Sequence, residues 1–284
     1  MVKNSATSVG TLYIVATPIG NREDISLRAL ETLRSVDTIL AEDTRHSMQL
    51  LNSLGIQKPL LSLHTHNEGT KSERIIEALK EGKSFALISD AGTPLISDPG
   101  FPLVRMAHEK QILVVPIPGA CALVTALCAS GVACDSFTFA GFLPAKQTAR
   151  QTKLEAFRSS EHTLVFYEST HRIVECMDDI RAVYGPDYRF VLAKELTKTF
   201  ERFIHGTGLE IKEWLVVESA HAKGEFVIIL PAQPEETTDT KEKEILTILL
   251  SELPLKQAVK IACLLTKTTK NELYKLALRL QEGN

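Results

Sequence analysis

The chain has no CxxC pair, no GxGxxG, GxxxxGKS or GxxxxGKT run after a strand-like segment, and no uninterrupted apolar stretch of membrane-spanning length. Its five cysteines, Cys121, Cys128, Cys134, Cys176 and Cys263, are odd in number. That pattern fits free thiols in a reducing compartment and argues against a disulfide framework or structural zinc. Without a glycine fingerprint an ATPase or NAD dehydrogenase is disfavoured. TPIGN, with Gly20 alone, is too glycine-poor for the first loop of a seven-stranded Rossmann methyltransferase. The longest weakly polar stretch, Gly119 to Cys134, is interrupted by Thr125, Ser130 and Gly131. It falls short of the roughly 18 residues a membrane span needs and reads as a packed helix. The first ten residues carry one charge, Lys3, and no apolar run, so neither signal peptide nor membrane anchor is expected, and the location expected is cytoplasmic. A net charge of −3 excludes a general polyanion binder, leaving any nucleic-acid affinity to local patches.

What is present is an ordinary globular composition, 284 residues with 44% hydrophobic and 24% charged, long enough for two domains and a large core. TLYIVAT (Thr11 to Thr17), TILAED (Thr38 to Asp43), LLSLH (Leu60 to His64), FALISD (Phe85 to Asp90) and ILVVPI (Ile112 to Ile117) read as strands separated by helices. In the first helix Leu27, Leu30 and Leu33 share a face with Ala29 while Arg28, Glu31 and Arg34 face outward. The favoured architecture is an open, parallel-rich sheet. A second unit follows Gly131, with the strands FTFAGF, TLVFYES, YRFVLAKEL and GEFVIILPA, and TFERFIHGT as an antiparallel partner of the third. Expected boundaries are a disordered segment at 1–10, α/β domains at 11–130 and 131–232, a polar linker at 233–244 and a helical module at 245–284.

That module carries Ile245, Leu246, Leu249, Leu250 and Leu253 on one helical face and Leu255, Ala258, Val259 and Ala262 on another, with Pro254 suited to a first turn. Asn271 can cap a third helix bearing Leu273, Leu276, Ala277 and Leu280. From Leu253 to Gln281 the basic residues Lys256, Lys260, Lys267, Lys270, Lys275 and Arg279 stand against Glu272, a local balance of +5. A helix-turn-helix-like nucleic-acid module and a plain dimerisation or capping hairpin both fit.

In an open α/β sheet ligands lie beyond the carboxyl ends of the strands. Here those ends carry PIGN (Pro18 to Asn21), EDTRH (Glu42 to His46), HTHNEG (His64 to Gly69), DAGTPLISDPG (Asp90 to Gly100) and PIPGA (Ile117 to Ala120). Glycine permits close backbone approach and proline fixes the path, so together the loops outline one crevice. Glu42, Asp43, Arg45 and His46 form either an acid/base group or a charge-balanced turn. His64, His66 and Glu68 lack a third fixed ligand beyond the H-x-H pair, and no metal is expected.

LYIVATPIGN, AEDTRH, HTHNE, SDAGTPLISDPG, PIPG, GFLPAK, FYESTHR, AKELTK, KGE and ELPLKQA, in that order over nearly the whole chain, closely resemble the bacterial 16S ribosomal RNA cytidine-2′-O-methyltransferase family, ribosomal RNA small subunit methyltransferase I. The resemblance implies two α/β domains of the tetrapyrrole methylase type enclosing S-adenosylmethionine in an interdomain cleft, plus a small C-terminal helical module. It also implies a homodimer and a cytidine substrate in the decoding region of the small ribosomal subunit. Carried onto this chain, the cofactor cleft comprises Pro18, Asp90, Gly92, Thr93, Pro94, Gly119, Cys121, Ala122, Tyr167, Lys223, Gly224 and Glu225. Tyr167 fits a core aromatic equally well. PGA, with Ala120, stands where the family pattern leads to PGP, which implies a less rigid loop.

A ribose hydroxyl is a weak acid, so a general base helps its methylation. Asp43, Glu42, Lys194 and Glu195 are the candidates, with Glu195 or Lys194 expected near the methyl, though a salt-bridged strand end would explain that pair too. Arg45, Lys256, Lys260, Lys267, Lys270 and Lys275 are expected to contact RNA. A small-molecule tetrapyrrole-type methyltransferase is the alternative, disfavoured because such an enzyme has no evident use for the basic appendage. An assembly factor without turnover is a third reading.

Overall fold

The computed structural model describes residues 9–65, 68–233, 238–266 and 268–282. The expected disordered segment at 1–10 lies almost wholly outside them, as do His66 and Lys267.

The first half alternates β1 (Thr11–Val15), α1 (Leu27–Ser35), β2 (Thr38–Ala41), α2 (Thr44–Ser53), β3 (Leu60–Ser62), α3 (Glu68–Lys80), β4 (Phe85–Leu87), α4 (Phe101–Glu109), β5 (Leu113–Ile117) and α5 (Ala122–Ala129). The strands form one parallel sheet in the order β3-β2-β4-β1-β5. Alternation along each strand divides the core between its faces. Leu12, Leu40 and Leu87 pack with Ile75, Ile76 and Leu79 of α3 and Leu103 of α4. Ile39, Ala86, Ile88 and Val15 pack with Ala29 and Leu33 of α1 and Leu51 of α2. Burial on both faces explains why these strands read as nearly continuous apolar runs.

The second half runs β6 (Phe137–Phe142), α6 (Gln147–Ala156), β7 (Thr163–Ser169), α7 (Ile173–Tyr184), β8 (Arg189–Lys194), β9 (Arg202–Thr207), α8 (Gly208–Val217) and β10 (Glu225–Leu230). Its sheet has the order β6-β7-β10-β8-β9. β6 and β7 are parallel and the other pairs antiparallel, β8 with β9 among them, so the sheet is mixed. Thr207 and Glu210 form a capping box at the start of α8, an arrangement of about 1 kcal/mol. Although α5 precedes residue 131, its Leu123, Ala126 and Leu127 pack with Val165, Val191, Val227 and Ile229 of the second sheet. Both sheets accordingly fall in one compact unit.

The second unit contains α9 (Thr238–Glu252), α10 (Leu255–Leu265) and α11 (Lys270–Glu282). Leu246, Val259, Ala262, Leu273, Leu276 and Ala277 form its core. Helix α9 begins inside the stretch read from sequence as linker. The helix start assigned to Asn271 is also displaced. Thr269 precedes α11 and donates its N–H and hydroxyl to Glu272 at 3.2 and 2.6 Å, leaving Asn271 in the first turn. Among the described residues no helix is long and apolar enough to cross a membrane.

Candidate functional site

The loop after β4 is tied to the loop after β1 by a two-residue ladder. Thr17 donates its amide to the Gly92 carbonyl at 2.9 Å, and the Gly92 amide returns a bond to Thr17 at 3.1 Å. The Thr17 hydroxyl reaches the Ser89 carbonyl, and the Ser89 hydroxyl the Gly92 carbonyl. Gly92 has φ +83°, and a Cβ there would stand 3.1 Å from Ile19, so this position wants glycine. Further along, Leu95 (φ 71°) and Ser97 (φ 75°) adopt left-handed conformations, a cost on the order of 1–3 kcal/mol each that the surrounding bonds sustain. The Gly100 amide donates to Glu68 at 2.9 Å, and the Thr93 hydroxyl to the Ala120 carbonyl at 3.0 Å. The PGA loop is therefore held in place by Thr93.

This loop forms one side of a cavity of ≈ 550 Å³, lined by Ile19, Glu42, Asp90, Gly92, Thr93, Ile96, Ser97, Asp98, Cys121 and Ala122. The opposite side is Phe142, Tyr167, Ser169, Thr170, His171, Leu196, Gly224, Glu225 and Val227. The size and the mixture of apolar walls with a few polar groups suit a small-molecule site. Of the twelve positions carried over for the cofactor, Asp90, Gly92, Thr93, Cys121, Ala122, Tyr167, Gly224 and Glu225 meet here. Pro18 and Pro94 are buried beside the wall, while Gly119 and Lys223 are exposed outside it. Tyr167 is both wall and scaffold: its hydroxyl accepts the Leu123 amide at 3.0 Å, satisfying a donor that the start of α5 leaves without a helical partner. Burial, first, pushes the Tyr167 phenol upward, so it stays protonated.

The proton-acceptor candidates are redistributed by the structure. Only Glu42 reaches the cavity. Asp43 is the N-cap of α2: its carboxylate accepts the Arg45 amide at 2.8 Å and pairs with the Arg45 guanidinium at 3.1 Å. These bonds hold its carboxyl at about 2, too acidic for a base near neutral pH. Lys194 is buried on the face of β8 opposite Ala193, with its ammonium 6.0 Å from the Phe226 ring centre. Glu195, at φ 51°, is not among the cavity's lining residues; its carboxylate lies against Gly224 and accepts the Glu225 amide at 3.0 Å and the Lys198 ammonium at 2.8 Å. Burial raises its carboxyl, but Lys198 and the Glu225 amide outweigh that and leave it lowered. The Lys194–Glu195 pair is thus a strand end, in which Glu195 is salt-bridged to Lys198.

Asp98, which motif reading passed over, lies in the cavity wall with Glu42 and Asp90. Burial, with the nearby Glu42 charge second, pushes its carboxyl up to about 6. Glu42 is raised for the same reasons, burial and then the Asp90 charge. The signal for Asp98 was the second aspartate of SDAGTPLISDPG. Phe142, Thr170 and His171 were also missed, although their motifs were recognised. The Thr170 hydroxyl donates to the Gly224 carbonyl and accepts the Gly224 amide, at 2.7 and 3.0 Å. This fixes a glycine whose φ of +107° and proximity to the Glu195 carboxylate leave no room for a Cβ.

Arg45 is exposed, with 90% of its side chain accessible. Lys256, Lys260, Lys270 and Lys275 are exposed on α10 and α11.

Comparison with known proteins accords with this geometry. Residues 11–212 match the family model of the Tetrapyrrole (Corrin/Porphyrin) Methylases, and residues 236–281 that of the RsmI C-terminal HTH domain. Among solved structures, a diphthine synthase aligns at a TM-score of 0.61 with 17% identity, covering 78% of this chain and 90% of that one. A cobalt precorrin-4 methyltransferase aligns at 0.58 with 16% identity, covering 79% and 96%. Fold and site define a methyltransferase of the tetrapyrrole methylase class. The ribosomal RNA small subunit methyltransferase I of Haemophilus influenzae is 52% identical over 273 residues, 95% of this chain and 96% of its own length. That of Escherichia coli O157:H7 is 48% identical over 282 residues, 98% of each. The chain belongs to the ribosomal RNA small subunit methyltransferase I family.

Proposed function

We propose that the protein transfers the methyl group of S-adenosylmethionine to the ribose 2′-oxygen of a cytidine in the decoding region of 16S ribosomal RNA, acting on the small ribosomal subunit as a cytoplasmic homodimer. The observation that carries this reading is near-full-length identity of about half to relatives of that name, coupled to a cavity at the carboxyl ends of the first sheet. The cavity fits the cofactor chemically. Ile19, Ile96, Leu196 and Val227 offer an apolar wall, while Asp90, Asp98 and Glu42 place carboxylates suited to hydroxyls and positive charge.

S-adenosylmethionine supplies an already activated sulfonium methyl, so the protein's work is chiefly alignment of the nucleophilic oxygen at roughly 3–3.5 Å from the methyl. The rigid Thr17–Gly92 ladder and the Thr170–Gly224 bonds hold the two walls for that purpose. Asp98 accepts the hydroxyl proton, with Glu42 beside it: a carboxylate titrating near 6 is ionised at neutral pH and remains basic enough to take it. Arg45 and the exposed lysines Lys256, Lys260, Lys270 and Lys275 contact RNA phosphates. Lys267, expected to join them, lies outside the described residues.

The test is methyl transfer from labelled S-adenosylmethionine to unmethylated small subunits and to free 16S RNA, with the nucleoside identified. 2′-O-methylcytidine is expected, formed on the subunit. Cofactor binding without incorporation into either RNA form would overturn the reading in favour of a small-molecule methylase.

A further inference from the structure

Phe142 occupies a position that regular strand geometry would deny it. Side chains three residues apart on a strand point to opposite faces, yet Phe139 and Phe142 both meet the ring of Tyr167 edge-on, with centroids 4.8 and 5.7 Å away. The cause is a register slip between β6 and β7: Phe139 pairs with Val165, and Phe142, rather than Gly141, stands opposite Tyr167. Gly141 takes φ +65° at this slip, as the extra residue of a bulge does when it re-aims a neighbouring side chain. Lys153 on α6 clamps the irregularity by donating to the Ala140 and Phe142 carbonyls at 2.8 and 3.1 Å.

The slip does not serve burial. Phe142 remains 50% exposed, on an edge strand, while lining the cavity with Asp98 and Tyr167. A bulge that spends strand pairing to bring a half-open aromatic ring to the mouth of a site prepares a flat apolar surface for a flat ligand. Bases of unpaired RNA stack on such rings.

Resting on the reading under Proposed function, we infer that Phe142 is the platform on which the target nucleobase stacks, so that the attached ribose presents its 2′-oxygen to the cavity. The Tyr167 ring, packed at 68° to that of Phe142, braces it, and the Lys153 clamp fixes its approach.

The test compares F142L and F142W with the wild type in single-turnover methylation of small subunits. Calorimetric affinity for S-adenosylmethionine, melting temperature and sedimentation are measured on the same samples. Stacking of about 1–3 kcal/mol per base corresponds to a loss of about 5- to 150-fold in kcat/KM for F142L. F142W is expected within about threefold of wild type; in F142L the loss in kcat/KM is expected to exceed any change in cofactor affinity, with melting and oligomeric state unchanged in both. On subunits abasic at the target nucleotide, wild type and F142L are expected to converge. Wild-type kcat/KM in F142L, a loss tracking cofactor affinity or oligomeric state, or failure of F142W to rescue would each overturn the stacking role. A wild-type enzyme inert on RNA would instead overturn the underlying reading and the stacking role with it.

Discussion

Replacement of Asp179 should cost this fold heavily. It is fully buried on α7 and meets the fully buried Arg150 of α6 at 2.5 Å. Its other oxygen accepts the amides of Gln147 and Gln151 at 3.1 and 2.7 Å. Arg150 in turn donates to the carbonyls of Pro144 and Ala145 at 3.5 and 3.2 Å, in the loop directly after Phe142. Asp179→Asn removes the negative charge and sets an amide donor against the guanidinium. Breaking a buried pair by removing one partner costs about 3–5 kcal/mol, against a total stability of roughly 5–15 kcal/mol. At about 2–4 °C per kcal/mol for a unit of this size, the midpoint should fall by about 6–20 °C. Thermal melts followed by circular dichroism, with urea titrations beside them, measure it. An apolar double replacement, Arg150→Met with Asp179→Leu, should recover most of the loss, since well-packed apolar groups can replace a buried pair at little cost. Arg150 keeps one further carboxylate, the largely exposed Glu175 at 3.5 Å, so D179N melting within about 2 °C of wild type would refute the claim that the interior depends on Asp179 to balance Arg150.

Asp98→Asn tests the raised carboxyl through stability as well as rate. With a folded value of about 6 against 3.8, folding prefers the protonated form, so the associated stability is present below about pH 4 and is lost as pH rises through about 6. The variant should therefore melt above wild type at pH 8 by a margin that vanishes near pH 4, and it should lose the rise of the single-turnover rate through pH 6. An equal margin at both pH values would contradict the assignment. Gly224→Ala forces a Cβ onto the Glu195 carboxylate at a φ of +107°, and calorimetry should show cofactor affinity reduced at least tenfold; unaltered affinity would separate this turn from the site. Lys256→Gln and Lys260→Gln should each flatten the log–log salt dependence of subunit binding by about 0.7–0.9, and an unaltered slope would remove these lysines from the RNA contact.

Strand and helix identity, and the crevice at the strand ends, were legible because they rest on local chemistry. FALISD is apolar throughout because β4 is buried on both faces, and Pro, Gly and Asp gather where loops must turn tightly. Family motifs likewise put Gly92, Thr93, Cys121 and Gly224 at the cavity. Tertiary structure alone decided which neighbouring side chain faces inward. Lys194 and Glu195 looked like cleft residues, but strand parity sends one to the far face and a left-handed turn sends the other to Lys198. Asp43 and Glu42 are adjacent, yet one caps α2 and the other enters the cavity. Asp98 owes its raised carboxyl first to burial and then to Glu42, brought near because β2 lies next to β4 in space and not in sequence. Phe142 faces Tyr167 only because the register slips by one residue. Apolar periodicity and turn chemistry act over a few residues and are written in the chain. Orientation at a strand end hangs on a single-residue step, and electrostatic environment on partners distant in sequence, so both are settled only when the sheets and their loops pack.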